Sequence, residues 1–484
     1  MTIGHTPRLW QVAVDAPLSQ ALTYQEAEEP AENDGLAPGV SVIVPLGKRQ
    51  CEGVIISATT SAPDFALKKI LKKNDHHPPL PPAYLEWIQW LTKYYCYPIG
   101  QIAALCFPPL KKGGRGSKKP AIGGPARTPA APASMPQLTP EQHEIYNSIS
   151  RHQEFSVHLI QGVTGSGKTE VYLRLLSDCM NRGKQGLMLV PEIALTPQLV
   201  DRFNTRFGPQ IAVLHSQLTE REKTEQWWSI YEAKKNILIG ARSALFCPLL
   251  APGMIILDEE HEPSFKQEEK LKYHARDAAI VLGQKLNCPV VFGSATPSLE
   301  SWENAINGRF HLHRMKARVE NRAMPEITIV DLRQNSTSSP SAKGEVNERP
   351  FWMSGPLHEE LNRNYKEGYQ AALFLNRRGV AQTVTCPACG DPRECPNCAV
   401  SLTLHGHSHM VCHYCDFHEK KTDICRACND GEPRPVGMGT ELIEQDLRWL
   451  FPEARIARAD RDEITTREEL EDLITKMEHH EIDF

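Results

Sequence analysis

The stretch VHLIQGVTGSGKT, residues 157–169, decides the fold of the region around it. Its apolar first half is typical of a buried strand, and its second half matches the phosphate-loop pattern G-x-x-x-x-G-K-[ST] and leads into a helical pattern. Glycines in such a loop let backbone N–H groups surround phosphate oxygens at the positive end of the helix that follows. Lys168 is expected to reach the β and γ phosphates, and the Thr169 hydroxyl to bind Mg²⁺. The pattern therefore predicts a site for ATP and Mg²⁺, with a chance glycine-rich turn as the alternative. The predicted cofactor-binding residues of this loop are Gly162, Val163, Thr164, Gly165, Ser166, Gly167, Lys168 and Thr169.

A pair of carboxylates follows another strand-like run, MIIL, at residues 254–257. Because ligands of open α/β sheets bind beside the carboxyl ends of the strands, Asp258 and Glu259 are expected to lie near the phosphate loop. Asp258 is a candidate Mg²⁺ ligand, and Glu259 is a candidate base that orients and deprotonates the attacking water. With Lys168 and His261 they form the predicted catalytic set, although a histidine after a strand is also common as a packing or surface residue. An exposed acidic turn is the alternative interpretation of the two carboxylates.

Around these motifs, apolar strand-like runs alternate with longer helical segments, which is typical of a parallel sheet covered by helices. We therefore expect an α/β fold. Upstream of this region, short β-branched runs punctuated by Pro and Gly predict a small β-rich module, and a basic Gly/Pro-rich stretch without acids predicts a flexible linker. The expected boundaries are 1–110 for the β-rich module, 111–136 for the linker, 137–332 for the first lobe, 351–385 and 431–484 for a partial second lobe, and 386–430 for an inserted cysteine-rich module.

Eight of the fourteen cysteines form four C-x2-C pairs within one short block. Each pair offers two thiolates to one ion, and two pairs complete a tetrahedral site, so four pairs predict two structural Zn²⁺ ions. The spacing permits three ways of combining the pairs, and iron–sulfur ligation or thiol redox chemistry is the alternative. The predicted metal ligands are Cys386, Cys389, Cys395, Cys398, Cys412, Cys415, Cys425 and Cys428. The nearby histidines are interpreted as bystanders because eight thiolates already fill two sites; they are His405, His407, His409 and His413.

The composition of the chain excludes several classes of protein. The 484 residues are 40% apolar and 23% charged, which is typical of a globular chain of several domains. No stretch approaches the length of a membrane-spanning helix, and the first residues lack the layout of a secretion signal, so we expect a cytoplasmic protein without a membrane partner. The net charge of −5 neither requires nor excludes a nucleic-acid partner, because basic groups can be concentrated locally.

Taken in order, the phosphate loop, the Asp-Glu-Glu-His turn and the stretch GSATP at 293–297 resemble the motifs of superfamily 2 helicases. Further stretches add to this set, and they are PEIALTPQ at 191–198, GARSALF at 240–246, KQEEKLKYHARD at 266–277, LFLNRRG at 373–379 and the cysteine block. With them, the chain resembles the primosomal replication-restart helicases, the PriA or primosomal protein N′ family. The resemblance runs from near residue 8 to the final residue, except over the linker.

The resemblance implies a RecA-like first lobe, an incomplete second RecA-like lobe that carries the zinc module, and an N-terminal domain that binds DNA at 3′ ends. It implies an ATP-dependent 3′-to-5′ DNA helicase that recognises stalled or repaired replication forks and starts primosome assembly. The implied partners are DNA forks and single strands, primosome proteins and single-strand-binding protein, and the implied state is a monomer.

Several residue roles also follow from the resemblance alone. Gln142 would correspond to the glutamine that reads adenine. Residues 265–273 would form an aromatic-rich loop that reports DNA binding to the ATP site, with Phe265 and Tyr273 as its aromatic contacts and Leu271 where the family often has tryptophan. For the metal sites, the resemblance favours a nested combination, in which the outer two cysteine pairs share one ion and the inner two pairs share the other.

Two motifs that close the second lobe of such helicases, one resembling GTQMLAKG and one with an arginine finger, do not occur in the sequence. An arginine finger contributes about 10³ to 10⁵ in rate, so this chain alone is expected to bind nucleotide and to hydrolyse it poorly. Two functions stay open: a helicase of which this chain is a fragment or truncated form, and a non-unwinding zinc-containing module that binds DNA or assembles partners. A third interpretation, a different DNA-translocating ATPase of the same superfamily, is disfavoured by the cysteine pattern.

Overall fold

The structure, a computed structural model, divides into two compact units, residues 1–324 and 325–484. The described residues are 8–26, 35–61, 64, 66–110, 136–319, 325–331, 350, 352–375, 383–386, 389, 391–405, 409–430, 433–436, 440–460, 463–464 and 466–484. The predicted linker lies outside the described residues except for Pro136. The domain boundaries expected inside the two units stay predictions.

A five-stranded antiparallel sheet begins the first unit, in the order β2-β1-β4-β3-β5. Its strands are β1 (Leu9–Val14), β2 (Leu22–Gln25), β3 (Ser41–Leu46), β4 (Arg49–Thr59) and β5 (Lys72–Lys73). Alternate residues of these strands, among them Val12, Val42 and Val44, are fully buried in one core. Period-two burial of this kind is typical of a sheet with one face in the core, and it confirms the predicted β-rich module.

Two helices join this sheet to the rest of the first unit, and they are α1 (Pro82–Tyr95) and α2 (Ile99–Ala104). Helix α1 has a proline in its first turn, where a missing N–H costs nothing, and it ends at Cys96, whose φ of 51° is left-handed. Its buried face includes Trp87, whose indole nitrogen donates to the carbonyl of Ala278, 2.9 Å away. On the other side, α2 approaches the sheet closely, because a Cβ on Gly100 would lie 1.7 Å from the carbonyl oxygen of Val14.

A seven-stranded sheet forms the centre of the first unit, and all its described pairings are parallel. Its strands are β6 (Val157–Gly162), β7 (Gln185–Leu189), β8 (Ile211–Leu214), β9 (Ile237–Gly240), β10 (Pro252–Asp258), β11 (Val290–Ser294) and β12 (His311–Met315), in the order β12-β6-β11-β10-β7-β9-β8. The helices of this region are α3 (Pro140–Ser150), α4 (Lys168–Asn181), α5 (Pro197–Phe207), α6 (Glu220–Tyr231), α7 (Ala275–Leu286) and α8 (Leu299–Ile306). The apolar runs of the central strands are buried on both faces, as in sheets covered by helices. Because β6, β11 and β10 are adjacent, their carboxyl ends bring the phosphate loop, the GSATP stretch and the acidic turn together.

The second unit contains a small antiparallel sheet in the order β16-β15-β14-β13-β17 and a helical core. Its elements are α9 (Gly355–Glu367), β13 (Thr383–Thr385), β14 (Thr403–His405), β15 (His409–Val411), β16 (His418–Lys420), β17 (Arg434–Val436), α10 (Thr440–Leu450) and α11 (Arg467–Glu478). Leu361, Leu447 and Phe484 lie in one apolar cluster of this unit. The amide of Ala371 donates to the carbonyl of Asp483, and the amide of Asp483 donates to that of Arg455. Three backbone stretches of this unit thus lie side by side, and the partial second lobe stays a prediction.

Within the described residues, none of the helices is both long enough and apolar enough to traverse a membrane.

Candidate nucleotide site and metal centres

The phosphate loop connects the end of β6 to the start of α4 through a compact backbone turn. Gly165 and Gly167 have φ values of 82° and 81°, a left-handed conformation that side chains disfavour. A Cβ on Gly162 would lie 2.6 Å from Ser166 Oγ, and one on Gly167 would lie 2.4 Å from Gln142 Nε2. Among the described residues, the buried Ser166 Oγ has no hydrogen-bond partner. The loop therefore requires glycine at positions 162, 165 and 167, and the Ser166 hydroxyl is available to a ligand. Both features fit a bound phosphate chain.

The ammonium group of Lys168 is buried at the base of this loop. Its Nζ donates to the carbonyl of Gly162 at 3.0 Å and lies 3.6 Å from Glu259 Oε1. Only 8% of Lys168 is exposed, so its charge is held where few water molecules can compete for it. The structure therefore places the predicted phosphate-binding lysine and the predicted base in direct ionic contact.

Gln142 ties the start of α3 to the phosphate loop. Its Oε1 accepts from the amide of Thr139, which completes a capping box, and its Nε2 donates to the carbonyl of Ser166 at 2.9 Å. Glu141 beside it accepts from the amides of Lys316 and Ala317, just after β12. Both polar ends of the Gln142 amide contact protein groups, so the structure shows a brace for the loop, and the adenine-reading role stays a prediction.

The acidic turn begins at the carboxyl end of β10. The Tyr172 hydroxyl donates to Asp258 Oδ1 at 3.0 Å. Burial, with the neighbouring charge of Glu259 adding to it, raises the pKa of Asp258 to about 6. Glu259 itself has a φ of 48°, which a non-glycine residue adopts at some cost in strain. This strained turn directs two carboxylates toward Lys168, as the sequence predicted from the strand ends.

His261 links the acidic turn to the GSATP stretch. Its Nδ1 lies 2.7 Å from Ser294 Oγ and 3.6 Å from Glu259 Oε2. Ser294 Oγ also accepts from the amide of Thr296 at 3.0 Å. His261 is therefore hydrogen-bonded to Ser294 of the GSATP stretch and lies at ion-pair distance from Glu259, so it stands between that stretch and the predicted base.

Glu260, the third acid of the turn, is a site residue that sequence reasoning missed. It is fully buried, and it accepts from the Ser298 amide at 2.7 Å, the Ser298 hydroxyl at 3.0 Å and the Ser301 hydroxyl at 2.9 Å. Its carboxylate also lies 3.7 Å from Arg276 Nη1, at the start of α7. A buried carboxylate requires such partners, and this one fastens the turn to α7 and α8. The acid run in the sequence was the available signal, but it did not distinguish an outward carboxylate from an inward one.

The eight predicted metal ligands lie in two groups, within each of which all sulfur atoms are less than 4.8 Å apart. One group contains Cys386, Cys389, Cys425 and Cys428, and the other contains Cys395, Cys398, Cys412 and Cys415. This is the nested combination that the resemblance favoured. Four thiols at such spacing match the tetrahedral donor set of a structural zinc site.

The backbone around the cysteines forms tight turns of a shared design. The amides of Ala399, Asp416 and Asn429 donate to the carbonyls of the cysteines four residues earlier. Each of these three residues is left-handed, with φ between 51° and 56°. Such turns aim both sulfur atoms of a C-x2-C pair at one point. The described histidine pair His409 and His418 lies outside both groups, with Nε2 and Nδ1 3.0 Å apart.

The loop at 265–273 differs from its expectation. Phe265, Leu271 and Tyr273 are each 1% exposed, so the prediction that Phe265 and Tyr273 offer stacking surfaces to DNA is wrong. Tyr273 packs edge-on against Phe246, and Arg242 holds the loop by donating to the carbonyls of Ser264 and Lys266. The exposed side chains of the loop are instead charged, and they include Lys266, Lys270 and Lys272.

Three family profiles match the chain. Residues 11–108 match the 3′ DNA-binding domain profile of PriA, residues 139–305 match the DEAD/DEAH box helicase profile, and residues 395–420 match the Cys-rich region domain of PriA DNA helicase. The parallel sheet, the phosphate loop and the acidic turn thus belong to a DEAD/DEAH-type helicase domain.

Curated relatives narrow this class to one family. Replication restart protein PriA of Treponema pallidum is 35% identical over 93% of this chain and 67% of its own length. That of Haemophilus influenzae is 32% identical over 96% of this chain and 72% of its own length. The Bacillus subtilis protein is 43% identical over 67% of this chain, and the match spans 40% of its length. The chain belongs to the PriA replication restart family.

Proposed function

We propose that this chain supplies the ATP-binding lobe, the zinc module and the DNA-end-binding domain of an ATP-dependent 3′-to-5′ DNA helicase. Its proposed task is to recognise stalled or repaired replication forks and to start primosome assembly there. One observation carries the proposal: Lys168, Asp258 and Glu259 meet at the carboxyl edge of the parallel sheet, beside a loop that tolerates only glycine. The membership of the chain in the PriA family supports the same conclusion.

The side chains of the site divide the work of phosphoryl transfer among them. Backbone amides of the phosphate loop and the buried Lys168 ammonium hold the phosphate oxygens. Asp258 and the Thr169 hydroxyl would hold Mg²⁺, which neutralises charge that develops on the phosphates. Glu259 orients a water molecule and accepts its proton. His261 contacts both Ser294 and Glu259, so a movement of the GSATP stretch would change the position of Glu259.

The two cysteine groups would hold two Zn²⁺ ions. Few apolar residues are buried in this module, whose core includes the cysteines themselves, so metal binding supplies the free energy that folds it. The metal ions would hold the module in one rigid conformation. Such a rigid surface is suited to contact with primosome proteins, single-strand-binding protein or a DNA strand, the partners proposed from the family.

Lysines of the loop at 265–273 are proposed to contact DNA phosphates. Lys266, Lys270 and Lys272 are exposed, while Arg242 fixes the backbone that carries them. Binding through phosphates is independent of sequence and falls with salt, so removing three lysines is expected to reduce affinity for single-stranded DNA and the salt dependence together. The protein is proposed to act on DNA in the cytoplasm, and to do so as a monomer.

Nucleotide and DNA binding by matched variants test the proposal. A fluorescent ATP analogue should bind the wild type and fail to bind Lys168→Ala, while both proteins bind single-stranded DNA. If Lys168→Ala and Glu259→Ala leave nucleotide binding and DNA-dependent hydrolysis unchanged, the non-unwinding module is the better description. Exposed Lys285→Ala, on α7, is the control for loss of a lysine without a role at the site.

A further inference from the structure

Tyr172 lies on α4, one turn after the lysine of the phosphate loop, and is entirely buried. Its hydroxyl donates to Asp258 Oδ1 at 3.0 Å. A hydrogen bond to a carboxylate in a dry environment is stronger and more directional than one between neutral groups. The contact joins the helix that follows the phosphate loop to the first residue of the acidic turn.

The neighbouring strand leaves room for this contact. A Cβ on Gly293, in β11, would lie 1.5 Å from the Tyr172 hydroxyl oxygen and 3.3 Å from Asp258 Oδ1. No side chain larger than hydrogen fits there unless the tyrosine moves. The glycine, the tyrosine and the aspartate therefore form one close-packed unit, in which the hydroxyl donates to this carboxylate oxygen.

We propose that Tyr172 is a positioning residue for Mg²⁺ binding: it fixes the carboxylate of Asp258 so that the second oxygen is presented to the cation beside the phosphate loop. This inference rests on the proposed role of Asp258 as a Mg²⁺ ligand. Without the tyrosine hydroxyl, the carboxylate loses its side-chain hydrogen bond and keeps the backbone contact with Glu259, so it is less firmly oriented before the cation binds. The predicted defect is therefore in Mg²⁺ affinity and not in the nucleotide contacts of the loop.

The test is Tyr172→Phe in the full chain, which removes one oxygen and leaves the ring packing intact. Binding of a fluorescent ADP analogue is measured in EDTA and across a Mg²⁺ titration. The variant should match the wild type in EDTA and need about tenfold more Mg²⁺ to reach the half-maximal change in affinity. Tyr146→Phe is the matched control, because it also breaks a tyrosine–aspartate hydrogen bond of the same lobe, to Asp178, and should leave the titration unchanged.

Two further variants separate positioning from general damage. In an Asp258→Asn background, Tyr172→Phe should add no further shift, since the partner through which it acts has changed. Gly293→Ala should raise the Mg²⁺ requirement in the same direction by displacing the hydroxyl, and it serves if Tyr172→Phe does not fold. A wild-type Mg²⁺ response that Tyr172→Phe leaves unaltered would overturn the role of Tyr172 alone. A wild type without any Mg²⁺ response would overturn the proposed function, and this inference with it.

Discussion

Lys168 Nζ lies 3.6 Å from Glu259 Oε1, so the lysine that would hold phosphate and the acid that would activate water form one ion pair. The lysine is buried, whereas about a third of the Glu259 side chain is exposed. Incoming phosphate oxygens must compete with this carboxylate for the ammonium group. The ion pair therefore compensates the buried charge of Lys168, and the need to break it slightly lowers the affinity for nucleotide.

Glu259→Gln is expected to bind nucleotide at least as tightly as the wild type while losing hydrolysis. Removing the carboxylate charge frees Lys168, and a partly exposed ion pair contributes about 0 to 1 kcal/mol, so the gain in affinity should be at most about fivefold. Equilibrium binding of a fluorescent ATP analogue measures it. An affinity that falls as far as that of Lys168→Ala would show that Glu259 contacts the nucleotide directly.

Replacing two cysteines should lower the zinc content by one ion or by two ions per chain, depending on the groups to which they belong. The wild type should contain two Zn²⁺ per chain, and Cys389→Ser combined with Cys425→Ser should contain one, because both residues belong to one group. Cys389→Ser combined with Cys398→Ser takes one ligand from each group and should leave none. Elemental analysis of the purified chains measures this. A chain with Cys389→Ser and Cys425→Ser that has lost both ions would contradict the nested combination.

Glu260→Ala should lower the free energy of unfolding of the first unit by about 2 to 5 kcal/mol, because the donors of Ser298 and Ser301 lose their buried acceptor. Arg276 loses its buried partner as well, although it keeps Asp277 at 3.0 Å. Glu300 contacts the same arginine at 3.5 Å, but its side chain is 70% exposed. Glu300→Ala should therefore cost about 1 kcal/mol or less. Urea unfolding followed by tryptophan fluorescence compares the two. Equal losses would refute the argument that burial decides the contribution of each carboxylate.

A group of histidines on β6 and β12 should make the first unit sensitive to acid. His158 Nδ1 lies 3.1 Å from His313 Nε2. Burial, helped by neighbouring imidazoles, lowers the pKa of His158 to about 3 and that of His313 to about 4. Because the unfolded chain takes up protons near pH 6.5 and the folded one does not, stability is expected to fall as pH drops from about 6.5 toward 4.

The slope of the free energy of unfolding against pH shows how much each histidine contributes to the loss of stability. Each such histidine contributes up to about 1.4 kcal/mol per pH unit in this range, so His313→Gln should reduce the slope by about that amount. His143→Gln, at an exposed position of α3, is the control and should leave the slope unchanged. Unfolding measured at several pH values between 4 and 7 provides the comparison. A slope that His313→Gln does not alter would assign the acid sensitivity to other groups.

The features that could be predicted from the sequence are those that short stretches of residues determine. The phosphate loop, the parallel strands around it and the cysteine pairs each depend on residues close together in the sequence. The burial of Phe265 and Tyr273 could not be predicted, because it depends on packing against Phe246 and on Arg242, which come from another segment. The same holds for Tyr172, whose partner Asp258 meets it only once the sheet has formed.

Glu260 shows a second limit of sequence reasoning. The carboxylates of Asp258 and Glu259 predicted a catalytic turn or an exposed acidic one, yet the acid that follows them is buried because serines of α8 and its N-cap supply donors for it. Gln142 shows a third limit, since the family resemblance implies a contact with adenine but gives no sign of its hydrogen bond to Ser166. In each case the deciding partner lies on a different element.

The most direct test of the account is phosphate release from ATP, with and without saturating single-stranded DNA. The account predicts that DNA raises the wild-type rate at least several-fold, even if the rate itself is low, and that Glu259→Gln abolishes release in both conditions while still binding nucleotide. Equal wild-type rates with and without DNA, or a Glu259→Gln rate equal to that of the wild type, would contradict it.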